Sequence, residues 1–266
     1  MLQARRWLPG RQLVVVGDSG FAALELLAAL SRRGVACITR LRLDAALYDP
    51  APPRLPGTNG RPRTKGKRLA TLSEVLIDPA TPWQCITVTG WYGGGERVVE
   101  ISTAVWRHSG MPVVPTRWVL VRDPLGRFEP QALLCTDAAQ DPVQILRWFV
   151  QRWQLEVTFR EVRDHLGVET QRQWSDQAIA RTTPCLLGLF SLVILLAAQL
   201  TPQARQAVAT SAWYRKRCPT FSVTLAAVRR EFWREQGFTM SHQTSNIQKL
   251  RPALREGITY ALCNAA

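Results

Sequence analysis

The chain has 266 residues, with 34 Lys and Arg against 20 Asp and Glu, and a formal net charge of +14. Apolar content of 46% and charged content of 20% match a folded globular protein and exclude a disordered or collagen-like one. Six scattered cysteines without a C-x-x-C pair, and three histidines without metal-ligand spacing, argue against a zinc site and a disulfide framework; reduced cytosolic thiols are expected. The charge excess comes mainly from arginine, whose planar fork suits bidentate phosphate contacts, and it points to a polyanion partner, most simply nucleic acid.

Near the N-terminus, the apolar run is broken by Asp18 and Glu25, so no signal peptide is read there. Leu13-Val14-Val15-Val16, ending in Gly17-Asp18, reads as a strand buried on both faces. Gly20 to Arg33 reads as a helix that Gly34 stops, and Val35 to Leu41 as the next strand. Strand, helix and strand in this span make a βαβ unit, and ligand chemistry sits at the C-terminal ends of such strands, where Asp18 falls. The plainer reading of Asp18 or Ser19 is a cap on the following helix.

From about Ala51 to Lys67 the composition turns to proline, glycine and basic residues. Arg61, Arg63, Lys65 and Lys67 form either a phosphate clamp or a solvated loop. Trp83 to Cys135 reads as antiparallel β, with turns at Gly93-Gly94-Gly95 and Asp123-Pro124-Leu125-Gly126. Its tryptophans (83, 91, 106 and 118) are expected in the core rather than as base-stacking platforms. Asp141-Pro142-Val143-Gln144 then opens a long helix, with Asp141 as N-cap and Pro142 at the first position, running to about Leu166. Further helices are expected over Pro184 to Leu200 and Phe221 to Gln236. Leu186 to Leu200 is the greasiest segment, too short to span a bilayer comfortably and expected as a buried core helix.

On the long helix, 100° per residue places Phe149, Arg152, Glu156 and Arg163 on one narrow face beside an apolar stripe of Leu146, Val150, Trp153 and Val157. Arg152 and Glu156 at i,i+4 are readable as a solvated ion pair. The alternative is a helix presenting a metal-binding carboxylate between phosphate-binding arginines. Two carboxylates from a strand end and a helix are a usual way to hold Mg²⁺, which suggests pairing Asp18 with Glu156.

The pattern Phe149, Arg152, Glu156, Arg163, with Arg-Trp-Gln-Leu-Glu-Val-Thr-Phe-Arg-Glu at 152–161, resembles the Y-R-E-K signature of DDE-type insertion-sequence transposases. Gly17-Asp18-Ser19-Gly20-Phe21 resembles the segment that carries their second catalytic aspartate, and a β insertion between aspartate and glutamate is a feature of the group. The resemblance implies an α/β fold: a partial ribonuclease-H-like core with an antiparallel β insertion and C-terminal helices. It divides the chain into 1–43 (the α/β part of the core, first strands missing), 44–136 (β insertion with the basic loop), 137–200 (core helices carrying Glu156) and 201–266 (helical C-terminal region).

The same resemblance implies Asp18 and Glu156 as catalytic metal ligands, with Mg²⁺ (or Mn²⁺) as cofactor. DNA contacts fall to Phe149, Arg152 and Arg163, joined by the basic loop. The implied partners are insertion-sequence end DNA and, for dimerisation, the chain itself or a full-length transposase, with no membrane; a cytoplasmic, bacterial-type, nucleoid-associated location is expected. Phe149 stands where the signature has tyrosine and Arg163 where it has lysine. No Asp or Glu precedes Asp18, so the family's first aspartate is missing. Asp137 is expected as a loop or capping residue rather than its substitute. A truncated, inactive transposase fragment is therefore the expectation, and a non-catalytic DNA-binding regulator the alternative. Gly17-Asp18-Ser19 also resembles the nucleophile block of GDS-type serine hydrolases, but their D-x-x-H motif is absent.

Overall fold

The computed structural model describes residues 2–54, 56–57, 59–92, 95–108, 112–170, 172, 175–201, 210–211, 214–215, 219–236 and 251–264. Two compact units divide the chain, 1–154 and 155–266. Gly93 and Gly94 of the expected glycine turn lie outside the described residues, as do Cys218 and His242.

The first unit opens with α1 (Leu2–Trp7), β1 (Val14–Val16), a 3-10 turn at Ser19–Phe21, α2 (Leu24–Ser31) and β2 (Ala36–Leu41). Gly34 ends the α2 region at φ +65°, a left-handed conformation that suits glycine. The strands β3 (Leu47–Tyr48), β4 (Gln84–Trp91), β5 (Gly95–His108), β6 (Pro115–Arg122) and β7 (Gln131–Cys135) follow, with α3 (Leu72–Ile77) between β3 and β4. All seven strands form one sheet in the order β1-β2-β7-β6-β5-β3, with β4 also on β5. β1 and β2 are parallel, and every other pairing is antiparallel. The fold is mixed α/β, consistent with a partial ribonuclease-H-like core.

This sheet is one continuous body because β2 pairs on both edges, with β1 (Val16 beside Ile38) and with β7 (Ile38 opposite Cys135). The β-rich segment therefore extends the α/β strands. β1, expected to be buried on both faces, is an edge strand whose three valines are half-buried.

Side-chain alternation splits the core in two. Trp118 and Leu120 of β6 join Leu27 and Leu30 of α2 on one face, and Val119 and Val121 join Ile145, Leu146, Phe149 and Val150 on the other. Of the four tryptophans expected in the core, Trp118 and Trp91 are buried there, while Trp83 and Trp106 are partly buried against it.

The helix on the second face is α4 (Pro142–Gln151). Asp141 caps it by accepting the Gln144 N–H at 3.1 Å, and Pro142 occupies the first turn. α3 carries a full capping box between Thr71 and Glu74. The β6–β7 turn is held by Asp123, whose carboxylate accepts from the Leu125 and Arg127 backbone N–H groups and from the Arg127 guanidinium at 2.7 and 3.1 Å. Gly126 closes that turn at φ +64°.

The second unit holds most of α5 (Trp153–Leu166), then α6 (Asp176–Gln199), a small hairpin of β8 (Thr210–Ser211) and β9 (Tyr214–Arg215), α7 (Phe221–Gln236) and α8 (Pro252–Asn264). Its cluster joins Val193 and Ala197 of α6 to Phe221 and Val228 of α7, with Leu166 and Phe190 against it.

Two helical expectations are corrected here. The long helix is two helices, α4 and α5, separated by a turn at Arg152, whose N–H reaches back to the Phe149 carbonyl at 3.2 Å in a tighter 3-10-like bond. α6 begins at Ser175, which caps it, and runs through Pro184, so it has 24 residues and is long and apolar enough to cross a membrane. It is not a buried core helix: Leu192 is 51% exposed and Leu195 63%.

Two predictions follow from this packing. Replacing Ile145, fully buried between α4 and the sheet, with alanine costs about 3 kcal/mol in denaturant unfolding. The Arg127 hydrogen bond and the backbone donors hold the Asp123 carboxyl down at about 2, against an ordinary 3.8. Its stabilisation is therefore complete above pH 3.8 and lost as pH falls toward 2. Asp123→Asn should lower the melting temperature by a few degrees at pH 6, and the deficit should shrink at pH 2.

Candidate functional site

Asp18 sits just past the C-terminal end of β1. The Gly17 N–H continues the parallel ladder to the Ile38 carbonyl at 2.9 Å, and the buried Thr39 hydroxyl donates to the Asp18 carbonyl. A Cβ on Gly17 would come within 2.7 Å of the Phe21 ring, so only glycine lets the chain turn this tightly. One Asp18 carboxylate oxygen, Oδ1, accepts the Gly20 N–H at 2.9 Å and caps the 3-10 turn; the side chain is exposed. Capping and ligand binding are thus compatible, because among the described residues nothing bonds the second oxygen.

Strand register shows what shares this end of the sheet. Extending the Val16–Ile38 pairing places Asp18 level with Arg40, which faces Leu133 of β7. The end of β6 (Arg122), the start of β7 (Gln131) and the end of β4 (Trp91) lie toward the same end. α4 starts after β7 and packs mainly on β4, so Trp153 meets Tyr92 edge-on, centroids 5.8 Å apart, at the edge of the sheet opposite β1. Both rings are about 40% exposed: 39% for Tyr92 and 40% for Trp153.

Phe149 lies in the core at 3% exposure, and the Arg152 guanidinium stands 5.8 Å from its ring centroid. Phenylalanine serves here as packing. A further arginine, Arg97, lies beside the stacked Trp91 and Phe128 rings and 3.9 Å from Asp123; sequence reading passed over it because its partners are far from it in the chain.

Asp137 lies elsewhere. Thr136 bonds Cys37 in both directions, N–H to carbonyl at 3.0 Å and hydroxyl from N–H at 2.9 Å, which puts Asp137 level with Ala36. That is roughly 13 Å from the Asp18 level along the strands. Its carboxylate accepts the Ala139 N–H at 3.0 Å, as a capping residue does.

The basic loop is anchored at the Asp137 end. β3 pairs with the C-terminal end of β5, and Asp49 exchanges backbone bonds with Gly66 and Lys67. Arg61, Arg63 and Lys67 are exposed, while Lys65 lies over the Tyr48 ring at 4.8 Å.

Glu156 occupies the first turn of α5 in the second unit, and its side chain is exposed. Arg163, at the other end of α5, is engaged by Glu169 in a two-pronged pair at 2.6 and 3.1 Å. That bond holds the Glu169 carboxyl below its usual range and raises Arg163. Glu169 is the one non-glycine among the described residues with positive φ, at +66°. His165 contacts Glu161 and the Phe221 ring.

Residues 1–112 match the DDE superfamily endonuclease family. The match includes Asp18 and the basic loop, and it ends before α4 and Glu156; it supports a DDE-type, transposase-like nuclease domain in this part of the chain. No curated protein matches the chain. Enzymes of this superfamily generally use divalent metal ions. The exposed Asp18 carboxylate, at a strand end, suits a hard cation as one ligand. Among the described residues, no group of three or more His, Cys, Asp or Glu is placed to hold a metal.

Glu169 competes with any anion for Arg163. Glu169→Gln should strengthen DNA binding a few-fold at low salt, and Arg163→Ala should weaken it, as measured by fluorescence anisotropy. Equal affinities for wild type and both variants would remove Arg163 from the DNA contacts.

Proposed function

We propose that this chain carries catalytic elements of a DDE-class transposase acting on insertion-sequence ends, with Asp18 and Glu156 as two of its metal-binding carboxylates. The reading is supported by the endonuclease match over residues 1–112 and, within it, by the exposed Asp18 carboxylate just past the end of β1. A bound Mg²⁺ would supply activation of the attacking oxygen and neutralisation of the leaving one. The chain's own part is to orient. Gly17 and Thr39 hold the Asp18 backbone, and Gly20 fixes its carboxylate through one oxygen. Arg152 and Arg163 offer guanidinium groups to phosphate, with the basic loop adding a second, more distant hold on the DNA backbone.

A second reading, DNA binding without cleavage, is favoured by the placement of Asp137 at the far end of the sheet, away from Asp18. Both readings require DNA binding; only the first requires phosphoryl transfer by these carboxylates. The isolated 266-residue chain is expected to bind end DNA without joining it. Strand transfer with Mg²⁺ that disappears in Asp18→Asn and in Glu156→Gln would overturn that expectation and place complete chemistry in this chain.

DNA binding should weaken steeply with salt. Replacing Arg61, Arg63, Lys65 and Lys67 together with alanine should reduce the slope of log affinity against log salt by about 3 to 4. An unchanged slope would make the loop a solvated surface segment.

A further inference from the structure

Four arginines of the first unit sit against carboxylates: Arg42 on Asp44, Arg122 on Glu100, and Arg97 and Arg127 on Asp123. Arg40, near the end of β2, is held differently. Its guanidinium donates to Oε1 of Gln131 at 2.9 Å, and among the described residues it has no carboxylate partner. A neutral amide fixes the direction of the fork without cancelling its charge. The remaining N–H groups of a fork held in this way suit a phosphate.

Register sets that charge beside Asp18. The two residues are level on neighbouring parallel chains, about 4.8 Å apart across the ladder. Asp18 is still extended, at φ −81° and ψ −171°, so the alternation that puts Val16 and Ile38 on one face carries Asp18 and Arg40 to that face too. Thr39 ties the two backbones together, because its buried hydroxyl donates to the Asp18 carbonyl. The two charges nonetheless form no ion pair among the described residues, and Asp18 gives Oδ1 to the Gly20 N–H. Arg40 and Gln131 also line a cavity of about 380 Å³, with Leu43, Phe128 and Glu129 among its other walls, so the fork borders open space.

We propose that Arg40 is a substrate-positioning residue: it grips one backbone phosphate of bound DNA beside Asp18, with Gln131 aiming its fork. A phosphate gripped there meets a guanidinium on one side and the Asp18 carboxylate on the other. Without a cation between them, the phosphate and Asp18 repel each other. The proposal rests on the reading above for DNA as the substrate, and it involves neither Glu156 nor the second unit.

The test uses the 266-residue protein and a fluorescein-labelled DNA duplex of mixed sequence, read by anisotropy in EDTA and in Mg²⁺ at matched ionic strength. Mixed sequence suffices because phosphate contacts carry no sequence information. Arg40→Gln should weaken binding about five-fold and lower the slope of log affinity against log salt by about 1, with far-UV circular dichroism unchanged. Arg40→Lys should recover the slope but only part of the affinity, because it keeps the charge and loses the fork. In EDTA, Asp18→Asn removes a negative charge and keeps an oxygen to cap Gly20. It should strengthen binding about two-fold when Arg40 is present and leave it unchanged in Arg40→Gln.

An unchanged slope in Arg40→Gln would overturn the proposal and reduce Arg40 to a tie between β2 and β7. So would equal behaviour of the Lys and Gln variants, or an Asp18→Asn gain that is the same with and without Arg40. The metal-binding role of Asp18 fails on a separate arm, if Mg²⁺ gives the wild type no gain in affinity that Asp18→Asn removes. That result would leave the Arg40 slope and its coupling to Asp18 in EDTA standing.

Discussion

The first unit depends on the double pairing of β2. On one edge it runs parallel to β1 and so positions the turn that bears Asp18; on the other it runs antiparallel to β7 and so ties in the strands from 84 to 135. Cys37, Ile38 and Thr39, all fully buried, send side chains to both layers. Ile38 joins the cluster under α4, Cys37 joins the one under α2, and Thr39 reaches the Asp18 backbone. Burial pushes the thiols of Cys37 and Cys135 up to about 11, so both stay protonated and act as small apolar side chains. A break in this strand would release the Asp18 turn from the rest of the sheet.

The parts legible in the sequence are those set by short-range chemistry. The run of valines before Gly17-Asp18, the stop at Gly34, the Asp141-Pro142 helix start and the Asp123-Pro124-Leu125-Gly126 turn each depend on residues within one turn of each other. All four stand in the structure. The placement of Asp137 as a capping residue was likewise readable, because its carboxylate accepts from its own following backbone, the Ala139 N–H.

The parts that were not legible depend on distant partners. Periodicity runs smoothly through Arg152, so the tightening that separates α4 from α5 leaves no trace in the pattern. It matters for the site, because the narrow face through Phe149, Arg152, Glu156 and Arg163 assumed one uninterrupted helix. Phe149 turns into the core, Arg163 is occupied by Glu169, and only Arg152 and Glu156 stand beside the break. The exposure of α6 was hidden for the opposite reason: apolar composition signals burial, yet the packing among the described residues joins only the side with Val193 and Ala197 to α7. Proline at 184 reads as a helix start, yet the Ser175 cap sets the boundary earlier.

The proposed roles of Asp18 and Glu156 as metal-binding carboxylates are tested by a crystal structure of the chain grown with Mn²⁺, read through the anomalous signal at each side chain. Anomalous density on both carboxylates is expected; metal on neither, or on Asp18 alone, would contradict the proposal.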